Sequence, residues 1–379
     1  MQPAYAIIAG GGTAGHVIPG IAIAQELVDR GVPHEQVHYV GSARGIETRL
    51  VPEAGFPLTV LPGRGIQRRL TLANVGAVVG LVAAIVTGIR LVRRLRPAVV
   101  VGLGGYASVP CVLGAIVWRV PIVVAEQNAV PGAANRLAGR FARACAVSFD
   151  GTDLPRSIWT GNPVRPEVVA LAEPDSDRQA AARQRLGLPV DRQILAVFGG
   201  SLGARRINHA VADATASWLD RADLAVRHVS GSRDHADMVQ RVVVPEDAAL
   251  VHQLIEYEDD MPSVYAAADL VICRAGASSV AELAVAGVPA VLVPLPGAPG
   301  DHQTANGRAL ADAGAAVVIA DADLDAEGVV AVIGSLLGDR ARLGAMTAAA
   351  STVARPAAAS AVVDVIDQHA SRPRPTGTP

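Results

Sequence analysis

Lysine is absent from the chain: all 33 basic side chains among its 379 residues are arginine. Genomic base composition accounts for that bias. Its chemical consequence is that neither a Walker-type phosphate lysine nor a Schiff-base lysine is available. Cysteine is scarce, and Cys111, Cys145 and Cys273 sit singly in apolar surroundings with no C-x-x-C spacing. That reads as reduced, buried thiols of a cytoplasmic protein, neither disulfides nor zinc ligands. Excess charge is also missing: the net charge is −2 and the pI about 6.5, so bulk charge indicates no nucleic-acid partner. Near the N-terminus there is no basic leader or cleavage site before the first apolar strand, which argues against a signal peptide. What is abundant is alanine, valine and glycine. A hydrophobic share of 51% with 38 glycines and 3% aromatics describes an α/β protein long enough for two full cores.

The stretch from Val271 to Asn306 organises the rest. Two short β-branched runs, Leu270–Cys273 and Ala290–Val293, have the length of buried parallel strands. Each ends in a polar turn that opens a helical pattern, Ser278–Ala286 and Gln303–Ala313. Turns at the carboxyl ends of parallel strands are where open α/β sheets bind ligands. Here they offer small residues, helix N-termini, one carboxylate (Glu282) and two amides (Gln303, Asn306). That set suits a phosphate plus a diol, as in a nucleotide-sugar, better than a metal or an acyl group.

Along the chain, a strand at Tyr5–Ala9 leads into Gly10-Gly11-Gly12-Thr13-Ala14-Gly15-His16 and a helix from about Ile21 to Arg30. Gly10, Gly12 and Gly15 satisfy G-x-G-x-x-G in a strand–turn–helix context. The second strand, Val37–Val40, continues as Gly41-Ser42 where a dinucleotide fold needs a ribose-binding acid, which disfavours a dehydrogenase. Further strands are expected near 58–61, 99–101, 122–125 and 144–148, with a glycine turn Gly102–Gly105 and the turns Glu126-Gln127-Asn128 and Gly161-Asn162-Pro163-Val164-Arg165. The pattern then restarts: a strand at Ile194–Phe198, the turn Gly199-Gly200-Ser201-Leu202-Gly203, a helix Ala204–Trp218, and strands near 225–229, 249–251 and 316–319. The implied division is an N-terminal domain over 1–162, a hinge over 163–192, a second domain over 193–355, a helix over 356–370 and a disordered tail over 371–379.

Between Arg64 and Arg96 lies an apolar run, Leu72–Ile89, rimmed by Arg64, Arg68, Arg69, Arg90, Arg93, Arg94 and Arg96. It is long enough to span a bilayer. The strands on either side belong to one parallel sheet, however, and a single crossing would separate them. A wholly buried helix and an apolar surface lying on an anionic membrane face remain as readings.

Two facing parallel-sheet domains suit group transfer, one holding an activated donor and the other an acceptor. His16, at a helix N-terminus where positive charge is disfavoured, has the properties of a general base. Glu282 can take two ribose hydroxyls on its two oxygens. Arg165, in a turn stiffened by glycine and proline, can meet diphosphate charge. Ser201 and its neighbouring amides fit a phosphate. Metal use is not indicated: Asp175 and Asp177 fall in the hinge, and Asp321, Asp323 and Asp325 precede a helix that they would cap. Histidines 34, 38, 209, 228, 235, 252 and 369 show no ligand spacing.

Taken together, Gly-Gly-Thr-Ala-Gly-His (11–16), Gly-Gly-Tyr (104–106), Glu-Gln-Asn (126–128), Gly-Asn-Pro-Val-Arg (161–165), Gly-Gly-Ser-Leu-Gly-Ala (199–204), Cys-Arg-Ala-Gly-Ala (273–277) and Asp-His-Gln-Thr-Ala-Asn (301–306) resemble the MurG-type transferases of peptidoglycan synthesis. The likeness runs in unbroken order over about residues 5–365. It implies a GT-B fold, two Rossmann-like parallel-sheet domains facing a cleft, with the C-terminal helix packing back on the N-terminal domain. It also implies inverting, metal-independent and cofactor-free transfer of N-acetylglucosamine from UDP-N-acetylglucosamine to undecaprenyl-diphosphate-linked muramyl pentapeptide, at the cytoplasmic face of the membrane and beside other cell-wall synthesis proteins. Donor contacts are implied for Thr13, Ala14, Gly15, Asn128, Arg165, Ser201, Gln303 and the run Ala277, Ser278, Ser279, Val280, Ala281, Glu282. Glu258 departs from the apolar residue that relatives often place against the uracil. Rival readings are a glycosyltransferase acting on a natural product or glycolipid, a UDP-sugar epimerase, and a nicotinamide-dependent oxidoreductase.

Overall fold

A computed structural model describes residues 3–43, 45–62, 73–173, 175–200 and 203–375, with side chains of the long third helix described from residue 80 onward. The chain divides into two compact units, 1–165 with 355–379, and 166–354.

The first unit carries β1 (Ala6–Gly10), α1 (Ala14–Asp29), β2 (Val37–Ser42), α2 (Glu47–Glu53), β3 (Leu58–Leu61), α3 (Ala73–Leu95), β4 (Val99–Gly104), α4 (Gly105–Trp118), β5 (Ile122–Glu126), α5 (Ala133–Gly139), β6 (Ala144–Val147) and β7 (Ser157–Trp159). All seven strands pair in parallel, in the order β3-β2-β1-β4-β5-β6-β7. Helices cover both faces, so β1, β4 and β5 are buried at every position and apolar except for Glu126 at the end of β5. On one face α1 packs with Tyr5, Ile8, Val99 and Val101; on the other, α3, α4 and α5 close over Ile7, Val100 and Val124.

The second unit carries α6 (Pro166–Val169), α7 (Arg178–Arg185), β8 (Gln193–Phe198), α8 (Arg205–Ala214), β9 (Leu224–Val229), α9 (His235–Arg241), β10 (Val251–Ile255), α10 (Met261–Ala267), β11 (Leu270–Cys273), α11 (Ala277–Ala286), β12 (Ala290–Leu292), α12 (His302–Asp312), β13 (Ala316–Val318), α13 (Ala326–Leu337) and α14 (Arg340–Val353). Its six parallel strands run β10-β9-β8-β11-β12-β13. The chain then returns to the first unit as α15 (Ala358–His369), which buries Val362, Val363, Val365 and Ile366 with Ile23 and Leu27. Arg30 ties it down, reaching Asp364 at 2.5 Å, while the Tyr5 hydroxyl donates to Asp367 at 2.6 Å.

In both sheets the strand order reverses beside the first strand of the unit, between β1 and β4 and between β8 and β11. The turns after those four strands therefore open at topological switch points, where α/β sheets bind ligands.

Several expectations need correction. The first helix begins at Ala14, seven residues before Ile21, and accommodates Pro19 in its interior. The strand expected over 249–251 is β10, at Val251–Ile255, and β7 was not anticipated because its three residues are exposed on a sheet edge. Much of the expected hinge is ordered in the second unit. Its polar composition misleads because Arg183 is buried, donating to Ala267 O, Val190 O and, at 2.7 Å, Asp269. The tail expected to be disordered is held as far as Arg374: Ser371 N donates to Ala98 O at 2.9 Å, and Arg374 pairs with Asp367 at 3.1 Å. Residues 376–379 lie outside the described residues.

The apolar run is neither a span nor a wholly buried helix. Its flanking strands β3 and β4 share one parallel sheet. In α3, Ala84, Leu91, Val92 and Leu95 face the core, while Val82, Val86, Arg90, Arg93 and Arg94 are exposed. Arginines 64, 68 and 69 and the start of the run lie outside the described residues.

Candidate functional site

In the N-terminal unit, Thr13 sits in extended conformation (φ −133°, ψ 159°) at the N-cap of α1. Its carbonyl accepts from the His16 and Val17 amides, both at 3.1 Å, and its hydroxyl lies 3.2 Å from His16 Nδ1. The opposite ring nitrogen of His16 lies over Gly104, at the end of β4. A Cβ there would stand 3.3 Å from His16 Nε2 and 3.1 Å from Asn135 Nδ2, and Gly104 has φ +98°, so only glycine suits the position. Asn135, almost wholly buried, donates to Glu126 Oε2 at 2.9 Å; Oε1 of the same carboxylate accepts from Asn128 N at 2.9 Å and Asn128 Nδ2 at 3.2 Å. One buried acid thus orients Asn128 on one side and, through Asn135, backs the surface beneath His16. The half-exposed imidazole stands in the first turn of α1. Arg165 closes the Gly161–Arg165 turn, half-buried, at the end of the unit.

In the C-terminal unit, the glycine turn after β8 is backed by a buried polar chain. Asn208 Nδ2 donates to Ser230 O at 2.7 Å, and Asn208 Oδ1 lies 3.1 Å from His228 Nε2. Asp234 accepts from Arg205 Nε at 3.2 Å and Arg233 Nε at 3.0 Å; Arg233 first, with Arg205, holds its carboxyl below the usual range. After β11, Arg274 donates to the carbonyls of Val293 and Pro294, both at 3.2 Å, and pairs with Asp321 at 2.6 Å. That one guanidinium fixes the ends of β11 and β12 and the segment after β13. Asn306, fully buried, donates to Ala275 O, so it supports the turn and does not line it. Gln303 Oε1 accepts from Leu295 N at 2.9 Å, and among the described residues its Nε2 makes no hydrogen bond. The Ser278 hydroxyl, in the first turn of α11, is buried with no partner among the described residues. Glu282, one turn further along the same helix, is 3% exposed, and its Oε2 accepts from the Tyr265 hydroxyl at 2.8 Å. Tyr265 thus already uses one acceptor position of the carboxylate expected to face a diol. A buried carboxylate, an unpartnered hydroxyl and two helix N-termini on one sheet edge suit a ribose joined to phosphates.

Residues 6–147 match the glycosyltransferase family 28 N-terminal domain, and residues 194–367 match the family's C-terminal domain. The chain is 38% identical to the UDP-N-acetylglucosamine--N-acetylmuramyl-(pentapeptide) pyrophosphoryl-undecaprenol N-acetylglucosamine transferase of Desulforudis audaxviator, over 97% of this chain and 98% of the relative. It is 43% identical to the Nocardioides sp. enzyme of the same name, over 92% and 93%. The chain belongs to glycosyltransferase family 28, in its MurG-type branch.

The crystal structure of Acinetobacter baumannii MurG superposes with a TM-score of 0.73 at 30% identity, covering 97% of this chain and all of that one. As a family 28 member the chain has the GT-B architecture of two parallel-sheet domains. Of the residues singled out in the sequence, Thr13, Ala14, Gly15 and His16 follow β1 and Asn128 follows β5 in the first unit, and Ala277–Glu282 and Gln303 follow β11 and β12 in the second. Ser201 lies outside the described residues. Glu258 turns its carboxylate inward to Arg227 (2.9 Å to Nε) and accepts from Asp260 N at 2.9 Å. Its side chain is therefore spent within the second unit. The Asp-rich segment after β13 is structural: Asp325 caps α13 by accepting from Gly328 N at 2.8 Å.

Three further residues support the site and carry no sequence motif of their own. Glu126 is legible in the sequence only within the Glu-Gln-Asn turn and motif, with no role of its own. Tyr265 is a buried phenol on α10 whose partner is remote in sequence. Glu47 is a fully buried carboxylate beneath the first glycine turn. The acid sought at the end of β2 stands five residues beyond Ser42, and two nearby glycines, Gly41 just before Ser42 and Gly45 just before the helix, are the signal that points to it.

Proposed function

We propose that the chain transfers N-acetylglucosamine from UDP-N-acetylglucosamine to undecaprenyl-diphosphate-linked muramyl pentapeptide, with inversion at the anomeric carbon and without a bound metal or cofactor. The observation that carries the proposal is identity of 38–43% to enzymes of that name over nearly the whole of both chains. The uridine and ribose fall to Ala277, Ser278, Ser279, Val280, Ala281 and Glu282, with Gln303 and Ser201 on the diphosphate and sugar. Thr13, Ala14, Gly15 and Asn128 complete the donor contacts. His16 removes the proton from the muramyl 4-hydroxyl as that oxygen attacks the anomeric carbon, through an oxocarbenium-like transition state. UDP leaves with its charge met by Arg165, backbone amides and helix N-termini.

The same reading places the enzyme on the inner membrane face. The exposed Val82 and Val86 of α3 and Val117 and Trp118 of α4 make an apolar surface, with Arg90, Arg93, Arg94 and Arg119 around it. Trp118 Nε1 donates to Ile89 O at 3.1 Å and Arg93 stacks over its ring at 5.1 Å, so the two helices form one surface. An apolar patch with a cationic rim suits an anionic interface, where other proteins of wall synthesis would meet it.

The deciding experiment supplies labelled UDP-N-acetylglucosamine with and without a short-chain analogue of the lipid-linked muramyl acceptor. The proposal requires UDP release and label transfer only when the acceptor is present. Conversion of the donor alone would favour an epimerase, and transfer only to other lipids or aglycones would favour a different acceptor class.

A further inference from the structure

The first glycine turn follows β1 and opens α1, the arrangement in which dinucleotide folds bind a phosphate on backbone amides. Here an anion already occupies the turn, and the chain supplies it. Glu47, the first residue of α2, is wholly buried. Both of its oxygens accept from Gly12 N, at 3.1 Å and 3.0 Å, and Oε1 also accepts from Ser42 N at 2.7 Å and Ser42 Oγ at 2.8 Å. The backbone closes round the carboxylate: a Cβ at Gly11, Gly41 or Gly45 would collide with the Glu47 side chain. Three glycines are thus needed for one acid to fit.

We infer that Glu47 is a built-in anion filling the phosphate nest of the first glycine turn, and that it positions Thr13 and His16 for the acceptor-side chemistry. The inference rests on the transferase reading only for its effect on turnover. With Glu47 wholly buried, it acts through the turn and not on substrate. Charge-assisted bonds from amides converging on one carboxylate hold the turn in a single geometry. The same occupancy leaves the Gly12 amide engaged within the chain.

The test uses the full-length Glu47→Ala enzyme with acetate, which replaces the methylene and carboxylate that the substitution removes. Without acetate, kcat should fall about 100-fold, the scale of a displacement near 1 Å at the reacting groups, while donor KM stays within about 3-fold. Acetate should restore kcat and raise the melting temperature of the variant saturably, and leave wild type unmoved. Glu47→Gln puts an amide N–H against amide N–H groups; it should lose turnover and gain nothing from acetate. Full activity of either variant overturns the inference, as does an Ala variant that acetate neither stabilises nor reactivates, or that does not fold even with acetate present. The melting-temperature arm needs no activity, so a wild type without transferase activity would remove the functional reading and leave this one to be decided.

Discussion

The Tyr265 hydroxyl donates to Glu282 Oε2 at 2.8 Å, joining α10 to the clamp helix α11 through two side chains that are almost wholly buried. Tyr265 also meets Phe198, the last residue before the second glycine turn, edge to face at 5.9 Å. One phenol therefore touches the end of β8 and the helix that follows β11, on either side of the switch point. Its bond fixes the rotamer of the carboxylate that is proposed to hold the donor ribose.

Removing that hydroxyl by Tyr265→Phe leaves the ring contact and frees the carboxylate. Donor KM should rise about 10-fold, the equivalent of roughly 1.4 kcal/mol for a hydrogen bond to a charged group, with kcat nearly unchanged. Steady-state kinetics and calorimetric titration of UDP check it. The ratio of inhibition by UDP and 2′-deoxy-UDP should shrink as well, which a purely structural lesion would not cause.

His16→Ala should lower kcat by about 100- to 10,000-fold, the range for losing a positioned general base, and leave donor affinity within about 3-fold. Pre-steady-state turnover alongside equilibrium UDP-N-acetylglucosamine binding separates the two. Near-normal turnover would remove the base assignment.

Stability should fall on the acid side of neutrality because three histidines are neutral in the folded protein. Burial, with smaller effects from His252 and His235, lowers His228 to about 3; burial lowers His252 to about 4; burial, then Arg94, lowers His38 to about 4. Unfolding lets each return to its ordinary value near 6.5, so the unfolded chain binds more protons between about pH 4 and 6.5. Their contribution is complete above pH 6.5 and is lost as pH falls toward 4, at about 1.4 kcal/mol per pH unit for each. Denaturant melts across that window should show the slope, and His252→Gln should flatten it by one proton.

Trp118→Glu together with Val86→Glu should abolish co-sedimentation with anionic vesicles and leave solution turnover of a soluble acceptor analogue intact. Both side chains are exposed and away from the strand edges that carry the site. For wild type, binding should weaken as salt rises, since the rim is arginine. Equal binding of the double variant would place the membrane contact elsewhere.

Much of this molecule could be read before any coordinates because its strands are short valine- and isoleucine-rich runs ending in glycine turns, buried on both faces. Residues 58–61 and 290–292 show how far composition alone carries. What escaped has a common physical cause: the deciding partner lies far along the chain. Arg183 looks like a hinge residue until Asp269 is beside it, and Ser371 looks like tail until Ala98 accepts from it. Glu258 looks like a misplaced uracil contact until Arg227 claims it. The start of α1 escapes for a local reason: Gly15, Pro19 and Gly20 carry no helical signal, although the turn they follow sets the helix going. Of the candidate site, residue types at strand ends were legible; the acids that hold them in place, Glu47 and Glu126, were not.

The most direct test is the identity of the product. Wild-type enzyme, in the presence of EDTA, is given UDP-N-acetylglucosamine and the lipid-linked muramyl pentapeptide analogue, and the product is examined by mass spectrometry and proton NMR. One N-acetylhexosamine joined in β linkage to the muramyl 4-position, with one UDP released per transfer, is the result expected. An α linkage, a product only when divalent metal is restored, or donor consumed with the acceptor unchanged would contradict the account.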